Sequence, residues 1–325
     1  MVETSAWIEC DDGAKLFVRH WSPNFGAGIE KPAALILLVH GMAEHSLRYR
    51  RLAETLCSHN FEVWAADLRG HGKTADLSVN DPGKGGLLGH TADKNGFFRV
   101  VLDLGIIAGY IAGETKKYGE RPFLIMGHSW GSFLVQAYIE NPVAVLPLRG
   151  CMLSGTRGPG GAKISLGAPF LALLALLRGK RKVSKIAIAI SKGHNNKPFR
   201  PNRTPSDWLS RDEKEVDAYG SDPLSGYDCS SGFYRDMIRG LAAIHQKAAL
   251  ARIDRNLPVY IFCGSADPVG DMGASPTVLV NTYRELGIED LEFVIYPEAR
   301  HETLNETNRG EVTEDILNWL LRHTN

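Results

Sequence analysis

This chain has few cysteines and no excess of either charge. Its five cysteines (Cys10, Cys57, Cys151, Cys229, Cys263) are odd in number and scattered, with no C-x-x-C spacing. That argues against a disulfide framework or a zinc site and points to a reduced compartment. Lys plus Arg total 37, as do Asp plus Glu, so the overall charge favours no partner of either sign and no nucleic acid is expected. The start, MVETSAWIECDDG, has neither a basic opening nor an apolar core, so no signal peptide is expected. No apolar run reaches the length of a bilayer span. The cytoplasm is the expected setting. The glycine-rich stretch 81–90 (DPGKGGLLGH) lacks the Lys-Ser/Thr ending of a phosphate loop and reads as plain loop. Neither cofactor nor metal is expected, no internal repeat is visible, and the sequence sets no oligomeric state.

The chain does contain a regular alternation of strand and helix signals. At 325 residues and 44% apolar it can form one large core or two ordinary domains. Residues 7–21 read as a hairpin turning at Asp12-Gly13. Continuous apolar runs at Ala33–Val39, Phe61–Ala66, Phe123–Met126, Gly150–Ser154, Val259–Cys263 and Leu291–Tyr296 read as strands of a parallel sheet covered on both faces. Helical patterns fall at 46–59, 96–118, 132–139, 233–253, 277–286 and 312–321. This rhythm predicts a doubly wound α/β fold with a mostly parallel sheet. It breaks from Gly155 to about Ser231, too long a gap for a loop in a compact domain. The expected division is a core of residues 1–154 and 233–325 with an inserted helical cap of residues 155–232.

The chemistry centres on Gly127-His128-Ser129-Trp130-Gly131. This is G-x-S-x-G with a buried strand before it and a helix after it, the context of a nucleophile elbow. Only glycine tolerates the close backbone approach such a turn demands. A serine needs a base oriented by a third group, and in a parallel sheet those partners belong on loops at the C-terminal strand ends. Of eleven histidines, only His301 lies between the last strand and the last helix. His40, His71 and His128 sit beside a glycine or serine and read as structural. The loop after Val259–Cys263 offers Asp267, aimed by Pro268, whereas Gly155-Thr156-Arg157 offers no carboxylate. The catalytic set is therefore Ser129, Asp267 and His301. The oxyanion donors are the N–H groups of Trp130 and Met42, with both side chains expected on the pocket wall.

Five segments in order, LVHGMAEHSLRY (38–49), DLRGHGKT (67–74), GHSWGS (127–132), GSADPV (264–269) and ARHETLNE (299–306), resemble the bacterial monoacylglycerol lipase/lysophospholipase branch of the α/β-hydrolases. The resemblance implies the α/β-hydrolase fold and an ester hydrolase acting on one-chain lipids through an acyl-enzyme. It places an oxyanion donor at Met42. Met42 stands where that family usually has a small residue, and Trp130 where it has methionine or glutamine; both bear on the width of the acyl pocket. The stretch 207–227 resembles the later cap region of such enzymes. Asp67, Arg69 and His71 are expected to tie loops together.

The predicted cap is distinctive in charge. Between Asn141 and Ser206 stand twelve Lys or Arg and no Asp or Glu. Within it, Ile164–Leu177 (ISLGAPFLALLALL) is apolar on nearly all sides and is followed by Arg178, Lys180, Arg181, Lys182 and Lys185. That pattern fits either a lid resting on an anionic membrane or a roof with a solvated basic rim. Both admit an apolar ester substrate. Three rival readings remain. A proline iminopeptidase would need cap carboxylates such as Glu213, Glu215 and Asp217. A small-ester carboxylesterase or acyltransferase could use the same triad, and a non-catalytic binding module would not need it.

Overall fold

The computed structural model describes residues 1–324 except 25–30, 142–145, 161–168, 174, 178 and 192, with the backbone alone for 190 and 191. Eight strands form one sheet: β1 (Val2–Glu9), β2 (Lys15–Ser22), β3 (Ala34–Val39), β4 (Phe61–Asp67), β5 (Phe123–His128), β6 (Leu148–Ser154), β7 (Val259–Gly264) and β8 (Leu291–Tyr296). Their order is β1-β2-β4-β3-β5-β6-β7-β8. β1 and β2 pair antiparallel, β2 runs antiparallel to β4, and β3 to β8 are all parallel. This is the doubly wound, mostly parallel sheet the sequence predicts.

Helices cover both faces because each central strand is apolar on both sides. Leu35, Leu37 and Val39 of β3 pack into one layer and Ile36 and Leu38 into the other, the two-residue alternation of a pleated strand. The first layer is completed by α2 (Gly96–Thr115), α3 (Trp130–Glu140), α6 (Ser231–Ile244) and α7 (Ala274–Glu285). The second is completed by α1 (Arg50–Ser58) and α8 (Arg309–Thr324). Between β6 and α6 the described residues add no strand to the sheet. They hold α4 (Lys185–Ser191), α5 (Glu213–Ser221), helical residues at 169–173 and 175–177, and an isolated bridge between Val183 and Ser230. Residues 164–168, Leu174 and Arg178 of the expected apolar and basic run lie outside the described residues.

Three local expectations change. The first strand begins at Val2, not near residue 7. The helix expected at 46–59 begins only at Arg50: Ser46–Tyr49 is a 3-10 turn, and the Ser46 hydroxyl donates to Asp67 Oδ1 at 2.5 Å. The helical stretch Gly96–Tyr118 is long and apolar enough to cross a bilayer by length and composition. Here it is a core helix, with Val100, Leu104, Ile107, Ala108 and Ile111 fully buried and packed against α3 and α6.

Candidate active site

Ser129 terminates β5 and starts α3 with φ 52° and ψ −123°, a left-handed backbone that side-chain-bearing residues rarely adopt. The neighbours of the turn enforce it. A Cβ on Gly127 would meet Gly131 O at 2.4 Å, and one on Gly131 would meet Val39 O at 2.2 Å. The bend is tied across the sheet by the Ser129 N–H donating to Ser154 O at 2.8 Å.

Asp267 follows β7 and is fully buried, and His301 follows β8 at 2% exposure. His301 Nδ1 lies 2.9 and 3.0 Å from the two Asp267 oxygens. A carboxylate only accepts, so Nδ1 carries the proton and Nε2 keeps its lone pair. Burial opposes the charged imidazole, but the Asp267 carboxylate outweighs it and raises His301 above the ordinary histidine value. Asp267 also accepts the Val269 N–H at 2.8 Å. Ser129 and His301 stand on the wall of one cavity of about 450 Å³. No hydrogen bond joins them, a looseness common before substrate arrives.

The other histidines near the strand ends are committed elsewhere. His40 Nδ1 donates to Gly41 O and its Nε2 accepts the Leu68 N–H. His71 Nδ1 donates to Arg69 O, and burial pushes His71 down to about 3. Burial, followed by the nearby His301, pushes His128 down to about 4. Asp67 accepts from Ser46 and the Lys73 N–H, while Arg69 spans Asp12 and Asp103.

The loop after β3 holds an ionic group outside the sequence expectations. Glu44 accepts the Gly41 N–H and the Tyr49 hydroxyl. Arg48 bridges Glu44 and Glu302, with 2.7 Å contacts to each. Burial alone would raise Glu44, yet Arg48 holds it down to about 2; Glu302 is lowered against its own burial by the same cation. The loop bearing Met42 is thereby joined to the loop bearing His301. The residues were visible within the motifs 38–49 and 299–306, but nothing local paired them. Met42 lines the cavity as expected. The Trp130 side chain does not: at 2% exposure its ring packs in the core, 5.1 Å from His71 and 4.9 Å from Phe233.

The family described as serine aminopeptidase S33 matches residues 30–308. A monoacylglycerol lipase of Mycolicibacterium smegmatis is 26% identical over 96% of this chain and 94% of that protein. A monoglyceride lipase of Homo sapiens is 28% identical over 96% and 89%. Among solved structures, a thermostable carboxyl esterase from Bacillus coagulans superposes with a TM-score of 0.87 at 25% identity, covering all of both chains. A soluble variant of the monoglyceride lipase of Saccharomyces cerevisiae superposes with a TM-score of 0.77 at 23% identity, covering 100% and 97%. The fold is the α/β-hydrolase fold.

Proposed function

The chain belongs to the serine aminopeptidase S33 family of α/β-hydrolases, and from that premise we propose that it cleaves monoacylglycerols and similar one-chain lipid esters with Ser129, His301 and Asp267. The supporting observation is a strained, solvent-facing serine on the same cavity wall as a histidine bonded to a buried carboxylate. His301 Nε2 takes the Ser129 proton as Oγ attacks the ester carbonyl. Asp267 holds the imidazolium that forms. The oxyanion lies against the N–H groups of Met42 and Trp130, each such donor lowering the barrier by about 3–4 kcal/mol. The imidazolium then protonates the departing alcohol, and water, activated by the same base, releases the fatty acid from Ser129.

Residues 155–232 form the cap over this chemistry. Ile188, Pro205, Leu209 and Tyr219 line the cavity with apolar surface, suited to an acyl chain. An aminopeptidase would instead need free carboxylates to hold an α-ammonium group. Of the three carboxylates on the wall, Glu44, Asp228 and Glu302, two are taken by Arg48, which favours the ester. The enzyme works in the cytoplasm, its five buried cysteines in keeping with a reduced compartment. Its cap makes peripheral contact with anionic membrane through exposed Leu173, Leu176 and Leu177 beside Lys182 and Lys185. A panel of p-nitrophenyl esters, monoacylglycerols, lysophospholipids and prolyl anilides tests the reading. Monoacylglycerol should be turned over fastest, and preference for the anilide would reject the assignment.

A further inference from the structure

The cap does not merely cover His301; its second half is hydrogen-bonded to the loop that carries it. The Glu302 N–H donates to Leu209 O at 2.8 Å and the His301 N–H to Trp208 O at 3.4 Å. Arg300, one residue before the base, donates to Ser210 O at 3.0 Å and to Asp207 O, and its guanidinium lies 4.3 Å from the Phe199 ring centre. From the cap side, Ser210 Oγ donates to Asn305 O at 2.8 Å. The Arg211 N–H and Nε reach Glu306 at 3.0 and 2.9 Å. Residues 207–211 thus pair with 300–306 as a short ribbon. The ribbon presses the half-buried Trp208 ring to 5.0 Å from the His301 ring at a 32° tilt.

We propose that Trp208 is a positioning residue for the base: it seals one face of His301, so that proton transfer depends on the cap being seated. This rests on His301 being the base of the proposed reaction. The indole is a rigid plate, and the ribbon fixes its backbone. With it in place, the imidazole neither swings away from Asp267 nor takes water on that face. The charged groups facing His301 are Asp267, Glu302 and Glu44, with Arg48 between the glutamates; His128, its pKa lowered by burial, faces it uncharged. All of these side chains belong to the core, so removing the indole alone leaves them in place and takes away only the seal.

The test uses a short soluble p-nitrophenyl ester, whose turnover does not depend on docking to a membrane. Trp208→Ala should lower kcat by about 30- to 100-fold with KM little changed, because small misplacements of a catalytic group cost rates of that order. Burial opposes the charged imidazole. Admitting water therefore favours the imidazolium, and the acidic limb of kcat/KM should move to higher pH. Trp208→Phe keeps a ring on the histidine and should restore most of kcat and the original limb, with both variants checked for an unchanged melting temperature. A loss confined to KM, an unmoved limb in Trp208→Ala, or a phenylalanine variant as impaired as the alanine one overturns the proposal. His301→Ala, run alongside, separates the two claims. Retained activity there rejects His301 as the base, whereas a dead His301→Ala with a normal Trp208→Ala rejects the positioning role alone.

Discussion

The two halves of the stretch between β6 and α6 differ in how deeply their attachments are buried. The first exposes apolar side chains, Leu176 at 79% and Leu177 at 75%. Its basic segment reaches the core through Asp93, 3.3 Å from Lys180 and 2.7 Å from Arg181, with all three side chains partly in water. Two main-chain hydrogen bonds, from Gly232 to Lys180 O and from Ser231 to Lys182 O, also hold the first half, whereas the second half adds to its main-chain bonds the fully buried carboxylate of Glu306. Solvated ion pairs are screened by salt and contribute little, whereas backbone hydrogen bonds and buried carboxylates fix position. The contrast divides one insertion into an exposed half, to which the proposal assigns contact with lipid, and a buried half, the brace, to which it assigns the positioning of His301. It also revises the charge argument: of the five basic residues grouped in the sequence, Lys180 and Arg181 share Asp93, and Arg178 lies outside the described residues.

The sharpest separation comes from removing the chemistry while leaving both halves alone. Ser129→Ala should reduce ester turnover by roughly 10⁴–10⁶-fold with unchanged melting temperature and unchanged binding to vesicles. Should vesicle binding fall with activity, docking and chemistry are not separable and the division fails.

Glu302→Gln probes the brace at its root. Leaving Arg48 with one buried carboxylate should destabilise the fold by about 3 kcal/mol, read as a lower urea midpoint at pH 7. The pH dependence has a definite sign. Glu302 is depressed below its ordinary value of 4.5 because Arg48 outweighs its burial. Its stabilisation is therefore complete above that value and disappears as pH falls through the depressed one. Wild type and variant should converge in acid, and a gap that persists or widens there would refute the ion-pair account.

Most of the core was legible because its signals are local. The strands declared themselves as apolar runs, and the elbow as two glycines around a serine whose backbone does adopt a positive φ. His301 and Asp267 followed from strand order alone, since parallel strands present their C-terminal loops on one edge. What stayed hidden was long-range or concerned the direction of a side chain. The pairing of 207–211 with 300–306 joins residues about 90 positions apart and leaves no periodicity in either segment. Trp130 was expected on the pocket wall, yet its ring turns into the core because His71 and Phe233 offer it aromatic surface there. The helical pattern from Ser46 gives no sign that Asp67, twenty-one residues on, takes its hydroxyl and leaves a 3-10 turn before α1.

A smaller effect tests the docking half. Lys182 and Lys185 are exposed beside Val183 and Ile186, themselves 54% and 39% exposed. Changing both lysines to glutamine should weaken binding to anionic vesicles by about 1 kcal/mol per charge, and less at physiological salt than at low salt. Turnover of a short soluble ester should not change. Equal co-sedimentation of variant and wild type at low salt would leave this half as a roof with no membrane role.

The smallest expected effect bears most directly on how the two halves differ. Asp93→Asn removes the carboxylate shared by Lys180, Arg181 and His90. Neutral attachments remain: the Gly232 N–H donates to Lys180 O and the Ser231 N–H to Lys182 O, each at 2.8 Å. The loss should therefore stay under about 1 kcal/mol, the usual range for partly exposed pairs. It should appear as faster amide exchange and tryptic cleavage around residues 179–185, with residues 207–211 unchanged. Raising salt on the wild-type protein should reproduce most of that change, because screening weakens the same ion pairs that the substitution removes. The brace, held by backbone hydrogen bonds, should respond to neither treatment. If salt loosens both halves alike, or the substitution speeds exchange in the brace as much as in the first half, the insertion moves as one body and the assignment of separate tasks is wrong.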